Sequence, residues 1–295
     1  VFITEASMPS AIIDGIKVNY EVRGEGVPLI MLAPGGFDST IDSWEKRGVW
    51  QSLKPMDSLT REFKMIAYDR REAGASGGRV EQFSWRVFAE QAVQVLDHLS
   101  IERAWVIGGC MGVSVAVAMA AHFPQRCQGL LLHWPVGGYR WQAKGQEFFT
   151  RHMTFAKANG LPAVVERARK ATGFWADPEA GPWTAPLRHD TAFAAQYVEQ
   201  DLDQYLAIVA HGRDSLFDNS FVSGATGQQL MAIKHPTFIM SGDDASHSAS
   251  SAHQLRELIP GSVLSELMPP QQNADTVKRW ILDALASAAK VRAGA

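Results

Sequence analysis

The residue best placed to do chemistry is a cysteine. Cys110 stands in Gly108-Gly109-Cys110-Met111-Gly112, after the apolar run Ala104-Trp105-Val106-Ile107 and before the small-residue run Val113 to Ala121. A thiol with a pKa of about 8.5 is already a few per cent thiolate near neutral pH and is intrinsically nucleophilic. The flanking runs read as a strand and a buried helix. The thiol would then sit at a helix N-terminus, where the peptide dipoles favour an anion. Glycines two residues to either side fit a turn too tight for side chains at those positions. On its own the pattern also suits a small buried residue at a close helix–strand crossing.

Other chemistries find less support. There is no His-x-x-x-His, Cys-x-x-Cys or acid cluster with ligand spacing, so no metal is expected. Gly108-Gly109-x-x-Gly112 departs from Gly-x-Gly-x-x-Gly and no phosphate-binding Lys follows it. No cofactor of any kind is expected. The second cysteine, Cys127, lies in Pro124-Gln125-Arg126-Cys127, beyond the helix. A disulfide to Cys110 would have to span roughly 20 Å at 1.5 Å rise per residue. Both cysteines therefore read as free thiols, and a cytoplasmic, reducing setting is expected.

The elements that must position Cys110 can be read along the chain. Residues 11–22 read as a hairpin turning at Asp14-Gly15. Pro28–Leu32 and Phe63–Tyr68 are apolar runs suited to buried strands, and Ser84–Leu99 carries a helical apolar face of Val87, Ala92, Val95, Leu96 and Leu99. A strand is expected at Gly129–Trp134 after the helix that follows Cys110. Alternating strands and helices predict a parallel sheet with right-handed crossovers. From 135 to 235 the strand pattern stops, and helices are expected at Gln146–Ala158, Pro162–Thr172 and Thr191–Ala210. The alternation resumes with Pro236–Met240 (strand), Ser248–Leu258 (helix), Ser262–Leu267 (strand) and Ala274–Ala288 (helix). The expected domains are an α/β core over 1–134 and 236–295 and a helical cap over 135–235, closing an apolar pocket.

Composition sets the outer bounds. The chain has 295 residues, 46% of them hydrophobic and 20% charged, as in an ordinary globular enzyme. A net charge of −3 gives no reason to expect a nucleic-acid or anionic-membrane partner. No apolar run is long enough for a membrane span. Val1-Phe2-Ile3-Thr4-Glu5 has no basic segment followed by an apolar one, so no secretory leader is expected there. The expected partner is a small-molecule substrate; a homodimer is left open.

The chain resembles the capped, single-domain members of the α/β-hydrolase superfamily over nearly its whole length. The resemblance rests on Pro34-Gly35-Gly36-Phe37 after the third strand, Tyr68-Asp69-Arg70-Arg71 before a Gly-x-Ser, Gly-x-Cys-x-Gly at Cys110, and Ser241-Gly242-Asp243-Asp244 after Pro236–Met240. It implies an α/β-hydrolase fold, a mostly parallel sheet flanked by helices, with Cys110 in place of the nucleophile-elbow serine. It also implies an oxyanion hole from the backbone N–H of Met111 and one from Gly36 or Phe37, and an acid at Asp244. The dienelactone hydrolases of this superfamily likewise use Cys, held by a Glu from another loop. Glu72 is a candidate for that place, or a plain ion-pair partner of Arg70 or Arg71.

One departure is large. The superfamily places its base after the last strand, but no His occurs from Gln254 to Ala295. Two histidines are candidates instead: His247, three residues past Asp244, and His133, at the end of the strand after the Cys110 helix. His98, His122, His152, His189, His211, His235 and His253 carry no motif and read as solvated or structural. The leading expectation is a cysteine hydrolase acting through a thioester on a small apolar or aromatic ester, lactone or enol-type substrate. The alternatives are a lyase or cofactor-free oxygenase on the same fold, and a non-catalytic ligand-binding homologue.

Overall fold

Apolar runs buried on both faces build the middle of the sheet. The computed structural model of the chain describes residues 9–218, 220 and 222–293, so the expectation for Val1-Phe2-Ile3-Thr4-Glu5 lies outside the described residues. Val27–Leu32 (β3), Phe63–Tyr68 (β4), Ala104–Gly109 (β5) and Cys127–His133 (β6) pair in parallel. Every residue of β5 is buried, as a central parallel strand requires. Ser10–Ile13 (β1) and Ile16–Arg23 (β2) form the hairpin at Asp14-Gly15, and β2 adds antiparallel to β4. Thr237–Met240 (β7) and Val263–Leu264 (β8) extend the other side in parallel. The strand order is β1-β2-β4-β3-β5-β6-β7-β8.

Helices cover both faces. Trp85–His98, Met111–His122 and Ala249–Leu258 pack on one side, burying Phe88, Val95, Val117 and Leu255. On the other side lie Ala274–Ala293 and three short turns between Ser43 and Ser58, burying Trp44, Trp50, Met56 and Ile281. The helix after Cys110 has no polar face: Met111 through Ala120 are all buried, which suits a helix wedged between sheet and neighbours.

The segment between β6 and β7 is helical, with boundaries that differ from those expected. One long helix runs Tyr139–Ala168 and kinks at Gly160 (φ 78°), just before Pro162. The helix expected over Thr191–Ala210 is two, Thr191–Val198 and Leu202–Leu216. Aspartates start both: Asp190 accepts from the Phe193 N–H at 2.9 Å and Asp201 from the Gln204 N–H at 2.9 Å. A side chain that satisfies a helix's free N–H groups favours a fresh start over continuation. The last strand is shorter than Ser262–Leu267, because prolines 269 and 270 soon lead into a tight turn at Pro269–Gln271 and the strand pairs on one side only. No helix among the described residues is long and apolar enough to cross a membrane.

Candidate active site

Cys110 caps the helix Met111–His122 with φ 55° and ψ −124°, a conformation an L-residue adopts only when its surroundings impose it. Two backbone bonds do so. The Cys110 N–H donates to the His133 carbonyl at 3.1 Å, and the Val113 N–H donates to the Cys110 carbonyl at 3.0 Å. The flanking glycines allow the close approach. A Cβ on Gly112 would stand 1.9 Å from the Leu32 carbonyl oxygen, and one on Gly108 would stand 2.4 Å from the Gly112 oxygen. Strand and helix can meet this tightly only with hydrogen at both positions, and the turn between them presents the thiol at the C-terminal edge of the sheet.

The loop after β7 brings Asp244 and His247 together. Asp244 Oδ1 accepts from the backbone N–H of Ser246 (2.8 Å) and of His247 (2.9 Å), which winds the loop into a tight turn. The same carboxylate accepts from His247 Nδ1, at 2.9 Å to Oδ1 and 2.8 Å to Oδ2. With Nδ1 taken by the carboxylate, Nε2 is the ring nitrogen left for another partner. Gly137, in the loop after β6, bridges to His247 and donates to the Ser246 carbonyl at 3.2 Å, tying the turn to the sheet.

Charge completes the arrangement. Burial alone would raise the Cys110 thiol, but the His247 imidazole and the backbone N–H groups of Met111 and Gly35 hold it below its ordinary value. Burial alone would lower His247; Cys110 and Asp244 outweigh it and push it up to about 9. Asp244 is held below the usual carboxylate range, with burial opposed by His247 and the loop N–H groups. His247 Nε2 is buried and closes no hydrogen bond of good geometry, so Cys110 and His247 act on each other as a loose pair. The pair can exist as thiolate and imidazolium, a nucleophile beside a proton donor.

The pair opens into a cavity of about 530 Å³, walled by Trp50, Trp134, Trp141 and Trp175. His133 lines it too, but in another state. Burial pushes it down to about 3 with a further push from His247, so it is neutral at physiological pH. Its ring lies 4.7 Å from Trp50 and stacks on Trp134 at 5.8 Å, with Nε2 buried and without a partner. Its clear link to Cys110 is the backbone bond.

Of the two readings of Glu72, the ion pair is the one present. Glu72 does not line the cavity: it is buried in an ion pair with Arg71 at 2.8 Å, and Arg71 also pairs with Glu81. A carboxylate buried beside a guanidinium is satisfied where it stands. In the loop after β3 the Gly35 N–H acts on the thiol itself, a different place from the oxyanion expected at Gly36 or Phe37. Gly36 still lines the cavity, whereas Phe37 turns its ring into an aromatic cluster with Phe83, Phe149 and Phe174. Gly35 and Gly36 both have left-handed backbone, with φ 118° and 60°.

Several cavity residues carry no readable motif. Arg47 and Trp50 come from the short helical turns between β3 and β4, and Lys144 from the long helix after β6. Gln272 lies in the loop after β8, where the resemblance would put the base. Its Nε2 donates to the carbonyls of Ser241 (2.8 Å) and Leu267 (2.9 Å), and its Oε1 accepts from Trp134 Nε1 at 2.5 Å. Trp134 in turn packs 5.4 Å from the His247 ring. The break in the histidine pattern was the one signal pointing to this loop.

A family model described as the alpha/beta hydrolase fold matches residues 28–159, the stretch from β3 through Cys110 into the long helix. The chain has the α/β hydrolase fold. A crystal structure of a hydrolase from Pseudomonas aeruginosa PA01 superposes on this α/β hydrolase fold with a TM-score of 0.61 over 97% of this chain and 99% of that one, at 21% identity. The chain is 32% identical over 124 residues to a 2-hydroxymuconate semialdehyde hydrolase of Pseudomonas sp. strain CF600, covering 42% of this chain and 41% of that protein. It is 25% identical over 266 residues to a 2-hydroxy-6-oxo-2,4-heptadienoate hydrolase of Pseudomonas putida strain F1, covering 85% and 84%. The chain spans 33%, 41% and 37% of the length of the first relatives it matches.

Proposed function

We propose that this chain is a cofactor-independent hydrolase that uses Cys110 as nucleophile on small aromatic or apolar esters, lactones or enol-type substrates. The observation that carries the proposal is His247, held by Asp244 on one turn and facing the thiol. The hydrolase relatives named above and the aromatic cavity support the same reading. The helical segment 135–235 acts as a cap, since Trp141, Lys144 and Trp175 reach the cavity from it.

The chemistry follows from the geometry. The Cys110 thiolate attacks the substrate carbonyl carbon, and the carbonyl π electrons move onto oxygen. Backbone N–H groups of Met111 and of Gly36, which lines the cavity, receive the oxyanion. As the tetrahedral adduct collapses, the C–O bond to the leaving group breaks and the His247 imidazolium gives its Nε2 proton to the departing oxygen. Water then attacks the thioester while neutral His247 takes one of its protons. The C–S bond breaks, the acid product leaves, and the thiolate–imidazolium pair is restored. Asp244 holds the ring and stabilises its charge through both steps.

Intact-mass spectrometry during turnover of short p-nitrophenyl esters tests this directly. The expected result is an acyl adduct mapped to Cys110 that decays as acid is released. Turnover with no adduct, even under rapid quench, would favour a lyase or base-only mechanism. Tight ligand binding with neither adduct nor turnover would favour a binding protein.

A further inference from the structure

Two cations stand at the cavity with no anion to match them. Arg47 and Lys144 both line it, both are exposed to solvent, and no Asp or Glu lines it with them. Among the described residues, neither takes part in a salt bridge. The acid that feels Arg47 is Asp38, whose charge is shared with Arg70 and Arg188. His247 adds no net charge as long as its partner thiol is ionised.

Both cations border the loop whose N–H acts on the thiol. The Arg47 guanidinium carbon lies 3.3 Å from where a Cβ on Gly35 would be. The Lys144 ammonium lies 5.5 Å from the rings of both Phe148 and Trp175. The Trp175 indole nitrogen stands 2.4 Å from where a Cβ on Gly36 would be. Positive charge is thus fixed over an aromatic wall and beside Gly35-Gly36. Cation–π contact holds the ammonium in place without neutralising it, and a guanidinium fork fits a carboxylate in a bidentate way.

We infer that the substrate carries a carboxylate besides its scissile carbonyl, and that Arg47 and Lys144 dock it at the cavity mouth. The inference rests on the hydrolase reading above and narrows it from apolar or aromatic esters to anionic ones. The carboxylate belongs either to the acyl part, which stays on Cys110, or to the leaving part. Both sources present the same group to the same two cations.

The test uses matched ester pairs with the 295-residue chain. The p-nitrophenyl half-ester of adipic acid against p-nitrophenyl hexanoate probes the acyl side. 4-Carboxyphenyl butyrate against phenyl butyrate probes the leaving side. In one pair kcat/KM should favour the charged ester by about tenfold at low salt, the scale two exposed ion pairs supply. High salt should erode the preference, since exposed charges are screened. Arg47→Gln and Lys144→Gln should each lower the charged-to-neutral ratio, and the double variant should bring it to about one. Neutral esters matching or beating charged ones in both pairs, or ratios unmoved in both variants, would overturn the inference.

If no ester is turned over, the hydrolase reading fails first, and a binding titration still decides the anion site. Tryptophan fluorescence should then report tighter binding of 4-phenylbutyrate than of 4-phenylbutyramide, with the difference lost in the double variant. Equal binding of acid and amide would sink the anion site independently of catalysis.

Discussion

The two ends of the helix Met111–His122 each hold a cysteine, and the two could hardly differ more. Cys110, at the N-terminus, is held below the ordinary thiol range by His247 and two backbone N–H groups despite its burial. Cys127, past the C-terminus, is pushed up to about 12 by burial, with only Arg126 opposing it weakly. Its sulfur reaches nothing better than the Phe123 carbonyl at 4.0 Å. Both thiols lie next to the same sheet and the same helix. What separates them is donors: burial raises a thiol wherever nothing stabilises the anion, and lowers none. A nucleophile needs a low-dielectric place that is also furnished with N–H groups and a cation.

That contrast can be broken most sharply at Cys110 itself. Cys110→Ala should remove ester turnover to background and abolish the acyl adduct, with Cys127 unable to substitute; activity surviving in this variant would end the nucleophile reading. His247→Ala should come next, with kcat lowered about a hundredfold to ten-thousandfold, the range general acid–base catalysis supplies. The pH profile checks the cause. In the wild-type enzyme the rate should rise as Cys110 deprotonates on the acid side. It should fall as the imidazolium loses its proton near about 9. The limbs report the pair rather than either residue alone. In His247→Ala the alkaline limb should vanish, and iodoacetamide labelling of Cys110 should shift to higher pH. An unchanged labelling profile would mean that His247 does not control the thiol.

Asp244→Asn should cost less. The Asp244 side chain is 50% exposed against 15% for His247, so water replaces part of what the carboxylate provides. A loss of about tenfold to hundredfold is expected, with the alkaline limb moved to lower pH because the imidazolium loses its counter-charge. An alkaline limb that stays put would place the charge on His247 elsewhere. The smallest effect belongs to the other end of the helix. Cys127→Ser should leave kcat within about twofold, and limiting iodoacetamide on the wild-type enzyme should label Cys110 first. Preferential labelling of Cys127 would invert the comparison.

The core of the fold was legible because its signals are local or periodic. β3, β4 and β5 announce themselves as apolar runs, and Gly108 and Gly112 mark the turn because backbone collision excludes any other residue there. The helix boundaries within 135–235 were less legible, since the Asp190 and Asp201 helix starts break a pattern that remains apolar-periodic across them. At the site, Cys110, Asp244 and His247 were nameable from sequence, with His133 kept as the alternative to His247. Both end or follow neighbouring strands, and only the surroundings distinguish them. His133 is packed between Trp50 and Trp134 without a carboxylate, whereas His247 has Asp244 within 2.9 Å. Arg47, Trp50 and Lys144 come from unrelated stretches and meet only in three dimensions.

Placing a carboxylate and an imidazole three positions apart on one turn changes what the rest of the molecule must guarantee. When the two come from separate strands, every fluctuation of the sheet edge is transmitted to their alignment. Here the Asp244–His247 unit has very low contact order: its geometry is written by its own backbone and needs no distant partner. The charge pair takes no side chain from the short edge strand β8 or from the terminal helix. A single long-range coordinate remains, the approach of Nε2 to the sulfur, and the bridge between Gly137 and His247 is its mooring. Changes at Gly137 should thus act as a tuning screw on the thiol's reactivity, graded and reversible, while the acid–base unit itself stays intact.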